Sequence, residues 1–472
     1  MNNISSKGPE PRTRNQSRWF WLIIAGCLLV VVMSLLSRHE ADKPGTEPAA
    51  TTTLRRGTIG DSTDQKPPRE RRHSSFSASA PAPSAEEIVA SKLSQFGKSR
   101  RDLVHALAKH FEVDVPDDVV RFFDAVEGGR FEEIDAAHQA LLLGGDLTTP
   151  RSAELHQIWR AIQETWGVAR ETHDWPAQKL LDYGEAVLGS LRPGMIYVGG
   201  TDPGCFIPTF LNETAEGGHH IVLTQNALAD GTYLDYLKFL YGDRLATLTQ
   251  DDSQHAFQEY LADAQKRLQH DQQFPDEPKQ IRPGEDVRVT DNRVQVSGQV
   301  AVMAINEKLL QTLLDKNPDA AFGIEQSFSF KSMYPSATPL GPIMELRVQD
   351  EQNALTTERA SQSVDYWRAT TQRLLADAES AESSNVRLAY SKLASEQASL
   401  LLDRNYTAEA EQTFRLATQI SPSSPEAVFS YVNLLLGQNR FVDAIPVVEN
   451  ALKASPENQQ FRDLLEQVRK KN

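Results

Sequence analysis

A chain of 472 residues has room for two or three domains. Its formal net charge of −15 argues against general nucleic-acid binding, because affinity for phosphates comes from clustered lysine and arginine. Two cysteines, Cys27 and Cys205, are too few for a disulfide framework, and neither belongs to a CxxC metal motif. We therefore expect no metal and no cofactor.

The N-terminal region predicts a membrane anchor. The run from Trp19 to Leu36 is uncharged and long enough to span roughly 30 Å of hydrocarbon at about 1.5 Å per residue. Basic residues are concentrated in residues 1–18, which predicts a cytoplasmic tail and an extracytoplasmic bulk, in the bacterial periplasm. A cleaved signal peptide is the alternative, but it needs a shorter apolar run that ends in an A-x-A-like site.

Two regions of different character follow the predicted anchor. Residues 39–84 are rich in Pro, Ser, Thr, Ala and charge, which is typical of a disordered linker. Residues 85–190 carry apolar side chains at three-to-four spacing, with glycine pairs between the runs, and this pattern predicts a helical subdomain. Its five histidines have no metal-ligand spacing.

Residues 191–350 predict an open mixed α/β sheet. Short apolar runs alternate with loops and helix-compatible segments, as in sheets that carry crossover helices. We expect parallel strands from the first half and antiparallel pairing from the second. The strand candidates are residues 195–198, 220–224, 286–305, 321–330 and 343–348. With the C-terminal helices described below, the predicted fold class is α/β plus all-α.

The two loops after the first two strands form the candidate ligand site. Ligands of open α/β sheets bind beyond the carboxyl ends of strands, and the glycine loop at a helix start would offer backbone N–H groups to an anion. The loop lacks the Lys-Ser/Thr pair of a P-loop and the spacing of G-x-G-x-x-G, so glycines that only serve the turn and the packing are the alternative. Cys205 has either a depressed pKa at the helix start or a simple packing role. We assign no catalytic residue; the candidate small-molecule ligand residues are Gly199, Gly200, Thr201, Asp202, Gly204, Asn226 and Asp230.

Residues 360–472 contain a repeat with a period of 34. Four positions, Ala410, Phe414, Ala417 and Pro422, recur as Ala444, Val448, Ala451 and Pro456, since 444 − 410 = 34. Small residues where helices touch, with a proline after the second helix, resemble the tetratricopeptide repeat. The resemblance implies helical hairpins that bind a protein partner in a groove; packing on the α/β domain or self-association is the alternative. The groove would be lined by Lys392, Ser395, Glu396, Ser399, Glu426, Phe429, Ser430 and Asn433.

Two further resemblances bear on function. Residues 194–237 resemble the water-soluble part of multi-span bacterial membrane glycosyltransferases, and this implies sugar transfer. The whole arrangement resembles an uncharacterised family of membrane-anchored bacterial repeat proteins, which implies no chemistry. The sequence therefore predicts an anchored binding or scaffold protein that recruits a protein partner. The alternatives are an accessory or degenerate enzyme of envelope-glycan chemistry and a purely structural spacer.

Overall fold

The computed structural model describes residues 82–143, 153–290, 293–347 and 354–471. Helix makes up 69% of the structure, beside one five-stranded mixed sheet and a two-stranded ribbon. The predicted fold class, α/β plus all-α, is therefore wrong, because the protein is mostly helical and its sheet is small.

In the described part of the chain, no helix combines the length and the apolar character that a membrane crossing requires. This finding contradicts the predicted single-pass membrane protein, whose anchor, Trp19 to Leu36, itself lies outside the described residues, as do the predicted tail (1–18) and nearly all of the predicted linker (39–84). The predicted extracytoplasmic, periplasmic location depended on that anchor. The predictions of a membrane anchor and of a periplasmic location are therefore both wrong.

Five helices form the first layer of the structure. Helix α1 begins at a capping box, in which the Ser84 side chain accepts from the N–H of Glu87 and the Glu87 carboxylate accepts from the N–H of Ser84. It packs against α2, α4 and α5, and its side chains Phe96 and Leu107 are fully buried. The helices are α1 (Ala85–His110), α2 (Asp117–Glu127), α3 (Phe131–Leu143), α4 (Ala153–Asp174) and α5 (Ala177–Leu188).

The sheet has the strand order β2-β1-β5-β7-β6. Strand β1 runs parallel to both β2 and β5, whereas β7 is antiparallel to β5 and β6. Its strands are β1 (Ile196–Gly199), β2 (Ile221–Thr224), β5 (Phe322–Ile324), β6 (Ala337–Leu340) and β7 (Ile343–Leu346). Helices α6 (Asp202–Glu213) and α7 (Gly231–Tyr241) follow β1 and β2. The three parallel strands therefore end at one common edge.

A buried arginine joins the helical layer to the sheet region. Arg100 on α1, 1% exposed, pairs with Glu164 on α4 at 2.8 Å and with Glu213 on α6. The hydroxyl of Tyr236 on α7 donates to the same Glu164 carboxylate at 2.8 Å. Since a buried charge is tolerated only when it is paired, this network ties four helices together and makes the two regions one packed unit.

Along the chain, a long insertion with two helices and a two-stranded ribbon separates α7 from β5. Helix α8 (Gln250–Gln273) leads to the ribbon of β3 (Asp286–Thr290) and β4 (Arg293–Ser297), and α9 (Gln299–Lys316) returns to the sheet. The strand predicted over residues 286–305 is wrong in its second part. Gly298, with φ of 94°, ends β4, and the helix that follows buries Ala301, Ile305, Leu309 and Leu313 at a spacing of four.

Seven helices complete the C-terminal part. Helix α12 packs on β6, on β7 and on the 3₁₀ turn Lys331–Ser336, so the helices and the sheet share one core. We call α12 with α13 the first hairpin and α14 with α15 the second hairpin. The helices are α10 (Thr357–Ala376), α11 (Ala378–Glu382), α12 (Ser384–Asp403), α13 (Thr407–Ile420), α14 (Pro425–Gly437), α15 (Phe441–Ala454) and α16 (Gln459–Lys471).

Candidate functional site

The candidate site lies where the three parallel strands end. Residues 200–202 follow β1, residues 225–227 follow β2 and residues 325–327 follow β5. The chain leaves β1 toward β2 on one side and returns to β5 on the other side of β1, so the crevice between β1 and β5 is a topological switch point. Ligands of open sheets bind at such a point, which makes these three segments the first place to look for function.

The glycine loop holds a carboxyl group, which is that of the protein's own Glu325. The N–H groups of Gly200 and Thr201 donate to Glu325 Oε2 at 2.6 and 2.8 Å, and the Thr201 hydroxyl donates to Oε1 at 2.7 Å. The carboxylate therefore occupies the positive end of α6, where an anion is favoured. The external ligand expected at this loop stays a prediction, and sequence reasoning missed Glu325, whose only local signal is a charge inside the apolar strand run at 321–330.

Two positions of the loop, Gly200 and Gly204, have no room for a side chain because neighbouring atoms lie too close to them. A Cβ on Gly200 would lie closer than 3.0 Å to the backbone of the segment after β5, including 2.6 Å from the carbonyl carbon of Gln326. A Cβ on Gly204 would lie 2.5 Å from the carboxyl carbon of Glu325. Neither contact is possible, so the absence of a side chain at both positions is what lets Glu325 enter the loop.

Asn226 and Asp230, two other predicted ligand residues, already form hydrogen bonds within the protein. Asn226 donates to the Gly200 carbonyl at 2.9 Å and accepts from the Ser327 hydroxyl at 2.9 Å. Asp230 caps α7 by accepting from the N–H of Thr232 at 2.9 Å. Gly199 is buried at the end of β1. Of the predicted set, Gly200, Thr201, Gly204 and Asn226 therefore converge around residues 325–327, whereas Asp230 does not.

Asp202 pairs with Arg170 on α4 at 2.5 Å. The neighbouring carboxyl of Glu171 is 6% exposed, and burial raises its pKa from 4.5 to about 7, against the opposing effect of Arg170. Between these two pH values the folded state holds a proton that the unfolded chain has lost. The free energy of unfolding therefore falls as the pH rises from about 4.5 to about 7.

We expect Glu171→Gln to raise the free energy of unfolding at pH 8 by about 2 kcal/mol and to change it little at pH 4.5, because glutamine resembles the protonated acid. Urea denaturation of both proteins at the two pH values measures the difference. Glu216→Gln, an exposed site in the loop before β2, is the matched control and should be neutral at both. An equal effect of Glu171→Gln at both pH values would show that the carboxyl does not titrate in this window.

The predicted groove residues of the first hairpin meet the same segment. Lys392 donates to the Ser327 carbonyl at 3.0 Å, and Glu396 Oε2 accepts from the N–H of Gln326 at 2.9 Å. Ser395 and Ser399 instead donate to carbonyls one turn back in their own helix. Residues from the predicted crevice and from the first-hairpin part of the predicted groove therefore contact one segment: the glycine loop holds Glu325, and α12 holds the two residues that follow.

Two further residues of the first hairpin, which sequence reasoning missed, also hydrogen-bond to main-chain carbonyls of the sheet region. Arg404 donates to the carbonyls of Tyr334 and Pro335 at 3.0 and 2.8 Å. Gln397, fully buried, donates to the carbonyls of Gly341 and Ile343 at 2.8 and 2.7 Å. Together with Lys392 and Glu396, they bind main-chain groups of the sheet region. Their side chains carry no repeat-periodic signature that would have singled them out.

The equivalent positions of the second hairpin are more open. Glu426 and Asn433 are exposed, and Ser430 is half-buried. Phe429 is also half-buried, with its ring centroid 5.9 Å from that of Phe461 on α16, so it contributes to helix packing. Each of these four residues stands 34 positions after one of the first-hairpin set, as 426 − 392 = 34 shows.

Buried carboxyls dominate the electrostatics of the site. Burial raises the pKa of Glu325, and Lys392 and the donors of the glycine loop oppose the shift. Burial also raises the pKa of Glu396 well above its ordinary value, with Glu325 adding to the effect. Burial likewise holds the pKa of Cys205 well above the usual range, so its thiol is packed and protonated. In the described residues no cluster of His, Cys, Asp or Glu is arranged to hold a metal ion.

Comparisons with known proteins gave no match. The chain matches no protein-family model, and neither a curated protein nor a solved structure matches it.

Proposed function

We propose that this protein binds another polypeptide through its C-terminal hairpins, which we interpret as tetratricopeptide-like. The helix bounds support the interpretation. Helices α13 and α15 begin at Thr407 and Phe441 and end at Ile420 and Ala454, a displacement of 34 at both ends (441 − 407 and 454 − 420). Repeats of this kind stack helix pairs and bind extended segments across the first helices.

One observation carries the proposal: the first hairpin already binds main-chain groups of its own chain, in the irregular segment after β5 and in the 3₁₀ turn Lys331–Ser336. Glu396 accepts from an N–H and Lys392 donates to a carbonyl of consecutive residues, and Arg404 donates to two more carbonyls. Contacts of this type depend little on the bound sequence, because every residue except proline offers the same donor and acceptor. The same helix surface, one repeat further on, is suited to main-chain groups of a second polypeptide.

The second hairpin offers that surface to a partner. Glu426 and Asn433 are exposed at the positions equivalent to Lys392 and Ser399. An asparagine carboxamide both donates and accepts, so it can pair with the N–H and the carbonyl of one bound residue. A bound segment would thus continue across α14 the kind of contact that α12 makes with residues 326 and 327.

The proposal is tested by affinity capture with the full-length protein in an extract of the cells that make it. We expect the double variant Glu426→Lys, Asn433→Lys to lose about tenfold or more of the captured partner, because it reverses charge and adds bulk at the binding surface. The matched control is Glu457→Lys, Gln460→Lys, two exposed positions before and within α16. Equal capture by both double variants, or no capture above the tag alone, contradicts the proposal.

An enzyme at the crevice is the weaker proposal. The donors of the glycine loop are taken by Glu325, and Asn226 is bonded on both sides. A sugar donor or another anionic substrate would have to displace a buried carboxylate that accepts three hydrogen bonds. This cost argues against the glycosyltransferase-like alternative.

A further inference from the structure

A cavity lies inside the junction between the helical layer and the sheet region. It is enclosed by helices α1, α4, α6 and α7 and by strand β2, and its lining includes Arg100, Glu164, Glu213 and Tyr236. The space that the centre of a water molecule can occupy is about 10 Å³. Roughly 10–15 Å³ of such space is needed to hold one water, so the cavity fits a single water-sized molecule.

One hydrogen-bond donor of the lining residues has no acceptor. Arg100 is 1% exposed, and its Nη1 donates to Glu164 at 2.8 Å and to the hydroxyl of Tyr236. Its Nη2 donates to Glu213. The Nε of Arg100 is buried and finds no acceptor among the described residues. A buried charged group with an unsatisfied N–H is costly, so an oxygen atom in the adjoining cavity is favoured.

The charges around the cavity favour a neutral molecule over an ion. Glu164 pairs with Arg160 at 3.1 Å as well as with Arg100 at 2.8 Å. The two arginines therefore balance the two carboxylates of Glu164 and Glu213. A buried ion would add a charge without a partner, and this costs far more than burial of a neutral molecule.

The cavity is accessible to solvent on one side. The side chain of Glu213 is 28% exposed, and Leu240 and Tyr241, which also line the cavity, are half-buried. A water molecule can therefore enter and leave between these side chains without unfolding of the protein.

We propose that this cavity binds one water molecule, which accepts from Arg100 Nε and donates to the Glu213 carboxylate and to the Thr209 hydroxyl. The Thr209 hydroxyl donates to the Cys205 carbonyl at 2.8 Å, so its oxygen still has a lone pair with which to accept. A buried water typically makes about three hydrogen bonds, and these three groups supply them. The water completes the ion network that joins the helical layer to the sheet region, and its site is independent of the hairpins.

Radiolytic footprinting of the full-length protein tests the bound water directly. A short X-ray pulse splits bound water as well as bulk water, and the hydroxyl radical that forms oxidises the side chains next to it. Tyr236 lines the cavity and is 2% exposed, whereas Tyr183 is 1% exposed and does not line it. We expect Tyr236 to be oxidised about tenfold faster than Tyr183, because bulk radicals reach neither ring. Equal rates overturn the inference.

Two variants at position 209 assign the water to this cavity. Thr209→Val and Thr209→Ile both remove the hydroxyl, and isoleucine adds one methylene that takes the place of the water. We expect the oxidation of Tyr236 to stay fast in Thr209→Val and to fall to the rate of Tyr183 in Thr209→Ile.

The same two variants differ in stability. The equilibrium constant of unfolding, from urea denaturation, should be about tenfold larger for Thr209→Ile than for Thr209→Val, because Arg100 Nε then lacks an acceptor. A methylene that filled a dry void would make that constant smaller. Equal oxidation of Tyr236 in the two variants overturns the inference. An unfolding constant for Thr209→Ile that is equal to or below that of Thr209→Val does so as well.

Discussion

Replacing Glu325 by alanine should lower the free energy of unfolding by about 3–5 kcal/mol. The carboxylate is 1% exposed and accepts from two N–H groups and from the Thr201 hydroxyl. Alanine leaves these donors buried without an acceptor at the end of α6. Urea denaturation followed by tryptophan fluorescence measures the loss.

Glu325→Gln is the matched control for this prediction. The glutamine carbonyl can accept from the N–H groups of Gly200 and Thr201, and the Thr201 hydroxyl can turn to accept from the new amide. We expect a change within about 1 kcal/mol near neutral pH. Because burial raises the pKa of Glu325, the wild type loses stability as the pH rises through that value, whereas the glutamine variant does not. A loss below about 1 kcal/mol for Glu325→Ala would mean that water replaces the carboxylate, and the internal-anion account would fail.

Replacing Gly200 by alanine is expected to cost about 3 kcal/mol, at the upper end of the range for overpacking. The added Cβ would lie 2.6 Å from the Gln326 carbonyl carbon and 2.7 Å from the Glu325 carbonyl oxygen. These are backbone atoms at the end of β5, so they cannot swing aside as a side-chain tip can. The strand end and the glycine loop must therefore separate, which weakens the hydrogen bonds to Glu325.

Gly218→Ala is the control for that substitution. Its added Cβ meets nothing within 4 Å, and its φ does not require glycine. We expect a change of less than about 0.5 kcal/mol, as for ordinary surface positions. The same urea titration compares the two variants, and similar midpoints for Gly200→Ala and Gly218→Ala would contradict the packing described here.

The local pattern of apolar and polar residues predicted some strands correctly and others wrongly, and each outcome has a physical reason. The apolar runs at β1 and β2 are visible because each is bounded by glycine or polar turns. The alternating valines of residues 300–305 suggested a strand, but Ala301, Ile305 and Leu309 are all buried on one face of α9. Strand β6 went unpredicted because Pro339 lies in it; its position at the sheet edge is where proline is tolerated.

The candidate site was likewise predictable only in part. The glycine loop at a helix start predicts an anion site from local sequence alone, since it follows from backbone N–H groups. The anion could not be predicted, because Glu325 lies 125 residues after Gly200 and no short-range periodicity links them. The contacts of Lys392 with the sheet region likewise depend on how α12 docks, which the 34-residue period does not reveal.

Site-specific photocrosslinking tests the central claim most directly, that the first hairpin holds its own chain while the second hairpin binds a partner. A photoreactive lysine replaces Lys392 in one full-length protein, an uncharged photoreactive residue replaces Ser430, one turn after Glu426, in another, and the products are mapped by mass spectrometry. We predict that the probe at 392 crosslinks to residues 325–329 of the same chain, since the Lys392 ammonium lies 3.0 Å from the Ser327 carbonyl. The probe at 430 should crosslink to a separate polypeptide. Crosslinks from 430 to its own chain only, or from 392 to a partner, would contradict the account.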